Sequence, residues 1–115
     1  RGRCEKLNMI TYVFDIDGTI CHNENSDYEN SVPMQERIDK VNQLYDAGHT
    51  IIFHTARGMG RSKNSPAFAY ASFFELTQDQ LHTWGVKYHR LFMGKPAGNF
   101  YIDDKGISDN DFFTN

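Results

Sequence analysis

Cysteine, proline and tryptophan are scarce in this chain, with 2, 3 and 1 among its 115 residues. Two cysteines, Cys4 and Cys21, cannot build a disulfide framework, and their spacing is not that of a metal site. They read as reduced thiols of a cytoplasmic protein. No apolar run approaches the length of a membrane span or of a signal peptide, so no membrane partner is expected. A strong excess of one charge is missing as well. The formal net charge of −3 gives no footprint for nucleic acid or for an anionic membrane. Internal repeats and low-complexity stretches are absent.

What is present is an ordinary globular composition, with 14% aromatic and 23% charged residues, which excludes a wholly disordered chain. The length suits one domain with one core. Residues 1–8 are polar and include Arg1, Arg3 and Lys6, whereas Met9 would be a natural start. Residues 1–8 are therefore expected to be a linker or a remnant of expression, and residues 9–115 a single catalytic domain.

The stretch around which the rest is organised is Tyr12-Val13-Phe14-Asp15-Ile16-Asp17-Gly18-Thr19. Met9 to Asp15 reads as a strand rich in β-branched and aromatic residues. Alternation along it sends Asp15 and Asp17 to one side. Cys21 to Pro33 is polar and reads as a loop or a small hairpin flap beside the acids. Pro33 then opens a helix over Met34 to Ala47, stopped by Gly48. Thr50 to His54 is a short apolar run suited to a buried parallel strand. A basic, glycine-rich loop, Arg57 to Pro66, precedes helical sequence from Ala67 to about Trp84. That helix could break at Thr77, where Gln80 three residues on fits a capping box. Tyr88 to Phe92 reads as strand three, and Asn99 to Ile102 as strand four, ending in Asp103-Asp104. The tail from Ile107 should make one short turn with Phe112 and Phe113 folded back. Strands alternating with helices predict an α/β fold with a parallel sheet and right-handed crossovers. Ligands in such sheets bind beyond the carboxyl ends of the strands. Asp15, Asp17, Thr55 and Asp103-Asp104 all fall at such ends.

These residue types suit phosphate chemistry. Two neighbouring carboxylates repel unless a proton or a cation sits between them. Gly18 allows a turn whose amides, with Thr19, could face an anion. Asp15 is the candidate nucleophile, able to form an aspartyl-phosphate. Asp17 could protonate the leaving oxygen and then activate water. A magnesium ion held by Asp15 and the acids at Asp103 and Asp104 would offset the negative charge, since oxygen ligands favour it over zinc. Thr55 could donate to a phosphate oxygen, with Ala56 and Arg57 just after it, and Lys95 could pair with both phosphate and Asp15. Arg57 and Arg61 could hold a substrate phosphate or a polar ring, or form a solvated basic loop. His22 in the flap is a weaker candidate for substrate contact. Phe68, Tyr70, Phe73 and Phe74 fit core and subunit contacts better than a base-stacking platform.

Asp15-x-Asp17-Gly18-Thr19, then Thr55, Lys95 and Asp103-Asp104 resemble the four ordered motifs of the haloacid-dehalogenase-like phosphatases. The resemblance spans Met9 to about Asp109. It implies a Rossmann-like three-layer α/β/α core with about four parallel strands in the order 4-1-2-3, magnesium and an aspartyl-phosphate intermediate. It also implies that the Asp17 backbone carbonyl, rather than its side chain, ligates the metal. Either Asp103 or Asp104 could be the direct ligand, with Asp109 a weaker third candidate. No interval between motifs has room for a cap domain, so the chain resembles the cap-less type. Such members act on large substrates or close the site with a neighbouring subunit, which raises a homo-oligomer as a partner. The segments His54 to Arg61, Gly94-Lys95-Pro96 and Tyr101 to Lys105 are most similar to small phosphatases of capsule and surface-polysaccharide biosynthesis. That implies a sugar phosphate as substrate. Two other functions compete. One is a polynucleotide-end phosphatase, which the acidic balance disfavours, and the other is a non-catalytic phosphate-binding domain of a larger protein. A phosphorylation-receiver switch is set aside, because its acid pair comes first in the chain.

Overall fold

A computed structural model describes residues 9–114, and the expectations for residues 1–8, Cys4 included, lie outside it. In chain order the elements are β1 (Thr11–Phe14), β2 (Cys21–His22), β3 (Val32–Pro33), α1 (Gln35–Asp46), β4 (Thr50–Thr55), α2 (Pro66–Thr83), β5 (Arg90–Met93) and α3 (Asp109–Thr114). Short 3-10 turns cover Tyr28–Asn30 and Gly60–Ser62. β1, β4 and β5 form one parallel sheet in that order, with Phe14 opposite Phe53 and Phe53 opposite Leu91. β2 and β3 form a separate antiparallel pair, which is the hairpin flap that the polar stretch predicts.

The two crossovers β1–α1–β4 and β4–α2–β5 step across the sheet in the same direction. Right-handed connections therefore place α1 and α2 on one face. The core agrees, because Phe14, Ile51 and Phe53 from that face pack with Ile38 and Val41 of α1 and Leu81 of α2. α3 joins the same face. Phe112 lies edge-on to Tyr12 and Phe14, and Phe113 stacks on Phe14, so the tail folds back as its aromatic pair predicts. The other face is open at both flanking strands among the described residues, with Val13 61% and Phe92 42% exposed.

Several boundaries differ from expectation for identifiable reasons. Pro33 lies in β3, and Met34 occupies the cap position of α1. Gly48 ends that helix at φ +99°, where an added Cβ would meet the Met9 side chain at 2.8 Å. α2 runs unbroken past Thr77. Its cap is Ser65, whose hydroxyl accepts from the Phe68 N–H at 3.3 Å ahead of Pro66. Thr77 is fully buried and accepts from Arg57 instead of starting a second helix. At 18 residues α2 is the longest helix, yet no helix among the described residues is long and apolar enough to cross a membrane.

The largest difference is strand four. Asn99–Ile102 forms no strand, and the sheet has three strands, so only the 1-2-3 part of the expected order is present. The expected second layer of helices is likewise missing among the described residues. Phe100 is 84% and Ile102 95% exposed, so the apolar pattern that suggests a strand is there, but no neighbouring strand receives it.

Candidate active site

Asp15, Asp17, Thr55 and Lys95 cluster at the carboxyl end of the sheet because β1, β4 and β5 all end there. The Lys95 N–H donates to the Thr55 carbonyl at 3.1 Å, continuing the β4–β5 pairing past the last strand residue. That bond sets the lysine beside the aspartate. Lys95 Nζ stands 3.8 Å from Asp15 Oδ2. The Asp15 carboxyl sits above its usual range. Burial is the main cause, opposed by the charge of Lys95 and by the Ile16 N–H that donates to it. Thr55 is fully buried, and its Oγ1 accepts from the Arg57 N–H at 3.1 Å.

Asp17 is held differently. Arg57 Nε donates to its Oδ2 at 3.0 Å and Arg57 Nη2 to its Oδ1 at 2.9 Å, a two-pronged contact suited to guanidinium geometry. Asn23 Nδ2 from the flap donates to Oδ1 at 2.7 Å. The Arg57 side chain is 0% exposed. Its Nη1 donates to Thr77 at 3.1 Å and to Gln80 at 2.6 Å, and the guanidinium lies 4.9 Å from the Tyr28 ring centre. Arg57 was expected to bind substrate phosphate. It is instead committed to orienting Asp17 and to tying the flap to α2. Gln80 completes that tie by donating to the Tyr28 carbonyl at 2.6 Å.

The glycine turn also departs from expectation. Gly18 takes φ +81° with open space where a side chain would stand. Its N–H, however, donates to the Cys21 carbonyl at 2.8 Å, and the Thr19 N–H to the Ile16 carbonyl at 3.1 Å. Both amides close the turn and do not face an anion. Ala56 is half-buried, with its carbonyl accepting from the Met59 N–H at 2.9 Å. Arg61 packs over Phe73 at 4.8 Å and donates to the Ser26 carbonyl. His22 is exposed on the flap. Cys21 is fully buried, and its thiol is pushed up to about 12 by burial and by the charge of Asp17, against Arg57.

The second acid pair is elsewhere. Asp103 and Asp104 are exposed, and Asp104 pairs only with the adjacent Lys105 at 3.3 Å, both side chains being 86% exposed. Asp109 is drawn off to Arg37 at 2.7 Å, which holds its carboxyl below the usual range. Among the described residues, no group of three or more His, Cys, Asp or Glu is placed to hold a metal ion. The Asp15 carboxylate and the Asp17 backbone carbonyl, without Asp103 or Asp104, do not make the oxygen cage that magnesium takes. The described residues thus do not fit the expected ion.

Sequence reasoning missed Asn23, which donates directly to Asp17, and Thr77 and Gln80, which reach it only through Arg57. It also passed over His54. Burial and the charge of Lys95 push its imidazole down, against Asp15, so it lies within the electrostatic reach of the site.

No protein-family model matches the chain, and no curated protein matches it. Among solved structures it is similar to a structural-genomics target from Vibrio cholerae. The TM-score is 0.84 at 27% identity, covering 92% of this chain and 89% of that one.

Proposed function

We propose that the chain is a phosphomonoester hydrolase that works through an aspartyl-phosphate on Asp15. The reading rests on one observation above the others, the half-buried Asp15 facing Lys95 at 3.8 Å with Thr55 beside it at the strand ends. An Asp15 oxygen attacks phosphorus while the bond to the leaving oxygen breaks, and Lys95 offsets the charge gathering on the phosphoryl oxygens. The leaving oxygen takes a proton that a monoanionic phosphate ester first passes to Asp17 as that carboxylate swings from Arg57. Water then attacks phosphorus, Asp17 takes back a proton, and inorganic phosphate leaves with Asp15 restored as a carboxylate. For both transfers Asp17 must exchange one of its Arg57 or Asn23 contacts for the reacting oxygen. A sugar phosphate as substrate rests on the resemblance of the segments around Thr55 and Lys95 to polysaccharide-biosynthesis phosphatases.

Phosphate release from a panel of sugar phosphates tests this. Asp15→Asn should lower turnover on the order of a million-fold, the scale of removing a nucleophile, and turnover equal to wild type would end the covalent mechanism. One observation favours a second reading, a non-catalytic phosphate-binding domain. The acids at 103 and 104 stand away from Asp15 and leave the site short of oxygen donors. Saturable binding of a sugar phosphate with no phosphate release by the wild-type chain would select it.

A further inference from the structure

Residues 96–108 form an outward arm with no helix or strand, in which Phe100 and Ile102 are 84% and 95% exposed. One side chain of the arm turns back. The Tyr101 ring centre stands 4.2 Å from Lys95 Nζ, within the range at which a ring face attracts an ammonium. Its hydroxyl donates to the Pro96 carbonyl at 2.7 Å and accepts from the Gly98 N–H at 3.2 Å. The tyrosine thus closes the loop 95–101 onto the lysine that opens it. The same loop is tied down elsewhere. The Lys95 N–H donates to the Thr55 carbonyl at 3.1 Å, and the Ala97 N–H to Asn64 Oδ1 at 2.8 Å. A Cβ added to Gly94 would stand 3.3 Å from Pro66 Cβ, so the turn before Lys95 sits close on the start of α2.

This clamp meets a need of the site. A lysine ammonium is a point charge on a flexible four-carbon stem, and something must hold it where it is used. Asp15 does not, because 3.8 Å between Lys95 Nζ and Asp15 Oδ2 is beyond hydrogen-bond length. A further carboxylate could fix the ammonium, but it would occupy N–H donors and add negative charge where phosphate must approach. A ring face attracts the cation through its quadrupole and leaves N–H donors free for phosphoryl oxygens. Core packing does not account for the ring, since Tyr101 is 56% exposed. Its hydroxyl bonds and its contact with Lys95 do.

We propose that Tyr101 is a positioning residue for phosphoryl transfer, its ring, pinned through the hydroxyl, holding the Lys95 ammonium beside Asp15. The role rests on the phosphatase reading, whereas the contact between ring and ammonium does not. Lys95 offsets charge that builds on the phosphoryl oxygens as transfer proceeds, so its placement counts for more in the transition state than in the bound substrate. Loss of the ring should therefore fall on kcat and leave KM nearly unchanged. Tyr101→Leu should lower kcat about tenfold, the scale of a cation–π contact partly shielded from water. Tyr101→Phe keeps the ring face in a loop still tied at Thr55 and Asn64, and should hold kcat within about threefold of wild type.

Magnetic resonance tests the contact and kinetics test the role. Reductive methylation with isotope-labelled formaldehyde turns each lysine into a dimethylammonium that keeps its charge, and the Lys95 signal is the one missing from Lys95→Arg. In the wild-type chain that signal should lie upfield of exposed lysines, displaced by the ring current of Tyr101. Tyr101→Leu should return it to the exposed position, and Tyr101→Phe should not. A wild-type Lys95 signal at the exposed position would overturn the contact whatever the activity. A displaced signal with a Tyr101→Leu kcat equal to wild type would refute the positioning role. Equal losses in Tyr101→Phe and Tyr101→Leu would refute it as well, since the ring face would then contribute nothing. A loss carried by KM alone would do the same, by making Tyr101 a substrate contact. If the wild-type chain releases no phosphate from any sugar phosphate, the phosphatase reading falls and takes the role with it, while the Lys95 signal still decides the contact.

Discussion

Two acid pairs divide this molecule. Asp15 and Asp17 lie at the end of a core strand, and each is matched by a cation supplied by another strand end or loop, Lys95 for one and Arg57 for the other. Asp103 and Asp104 follow a run as apolar as β1 but are left in solvent with a neighbouring lysine. The local sequences are alike, an apolar stretch and then acids. What differs is whether a neighbouring strand pairs with the stretch. β1 has β4 beside it, and residues 99–102 pair with no strand among the described residues. A carboxylate acquires chemistry from its surroundings, through burial, fixed donors and opposing charge, and only the first pair has these.

The largest effect expected from this contrast is at Arg57. Its guanidinium is the hub joining Asp17, Thr77, Gln80 and the Tyr28 ring, and its side chain has no exposure. Arg57→Ala leaves those acceptors unpaired in the interior and should cost about 3 kcal/mol or more, read as a lower urea midpoint. Arg57→Lys keeps the charge but not the fork and should recover less than half of the loss. If Arg57→Ala unfolds at the wild-type midpoint, Asp17 is not held as described and the two acid pairs are less different than they look.

A smaller effect of opposite sign is expected at Asp15. Burial raises its carboxyl above the ordinary 3.8, so the folded state binds that proton more tightly than the unfolded chain does. Its contribution to stability is fully present below the unfolded value and is lost as pH rises through the folded one. At neutral pH the ionised Asp15 therefore weighs against the fold. Asp15→Asn should raise the thermal midpoint at pH 7, and the gain should vanish as the pH falls below the ordinary carboxylate value. A variant more stable but inactive is the usual mark of a site strained for function. The same shift moves the acid limb of the activity profile above the ordinary carboxylate range, because attack needs the anion. A midpoint that stays the same at pH 7 would mean that Lys95 cancels the burial.

How far this could be read in advance follows the same division. The first strand, the flap and both long helices follow from local pattern, because each is set by residues near it in the chain, whereas Lys95 is placed by the bond from its N–H to the distant Thr55 carbonyl. Phe112 and Phe113 folding back was legible too, as two adjacent aromatics in a polar tail need a surface. Arg57 was misjudged because a basic, glycine-rich loop gives no sign that Thr77 and Gln80, 20 and 23 residues on, will enclose one of its side chains. Strand four was misjudged for a related reason. An apolar stretch states a capacity to pair, and pairing also needs an edge within reach.

The smallest effect is the one expected at Asp104, and it sharpens the contrast by setting it against Asp17. Asp17→Asn removes the negative partner of a buried guanidinium and should lower the urea midpoint clearly. Asp104→Asn removes only an exposed pair with its neighbour Lys105, and such pairs contribute little or nothing measurable. The two changes are chemically identical, one oxygen replaced by an amide nitrogen, so any difference between them measures surroundings alone. Asp104→Asn should therefore unfold at the wild-type midpoint. A clear loss there would mean that residues 99–104 already lie against the sheet of their own chain. The outward arm, and the distinction between the two acid pairs built on it, would then fall together.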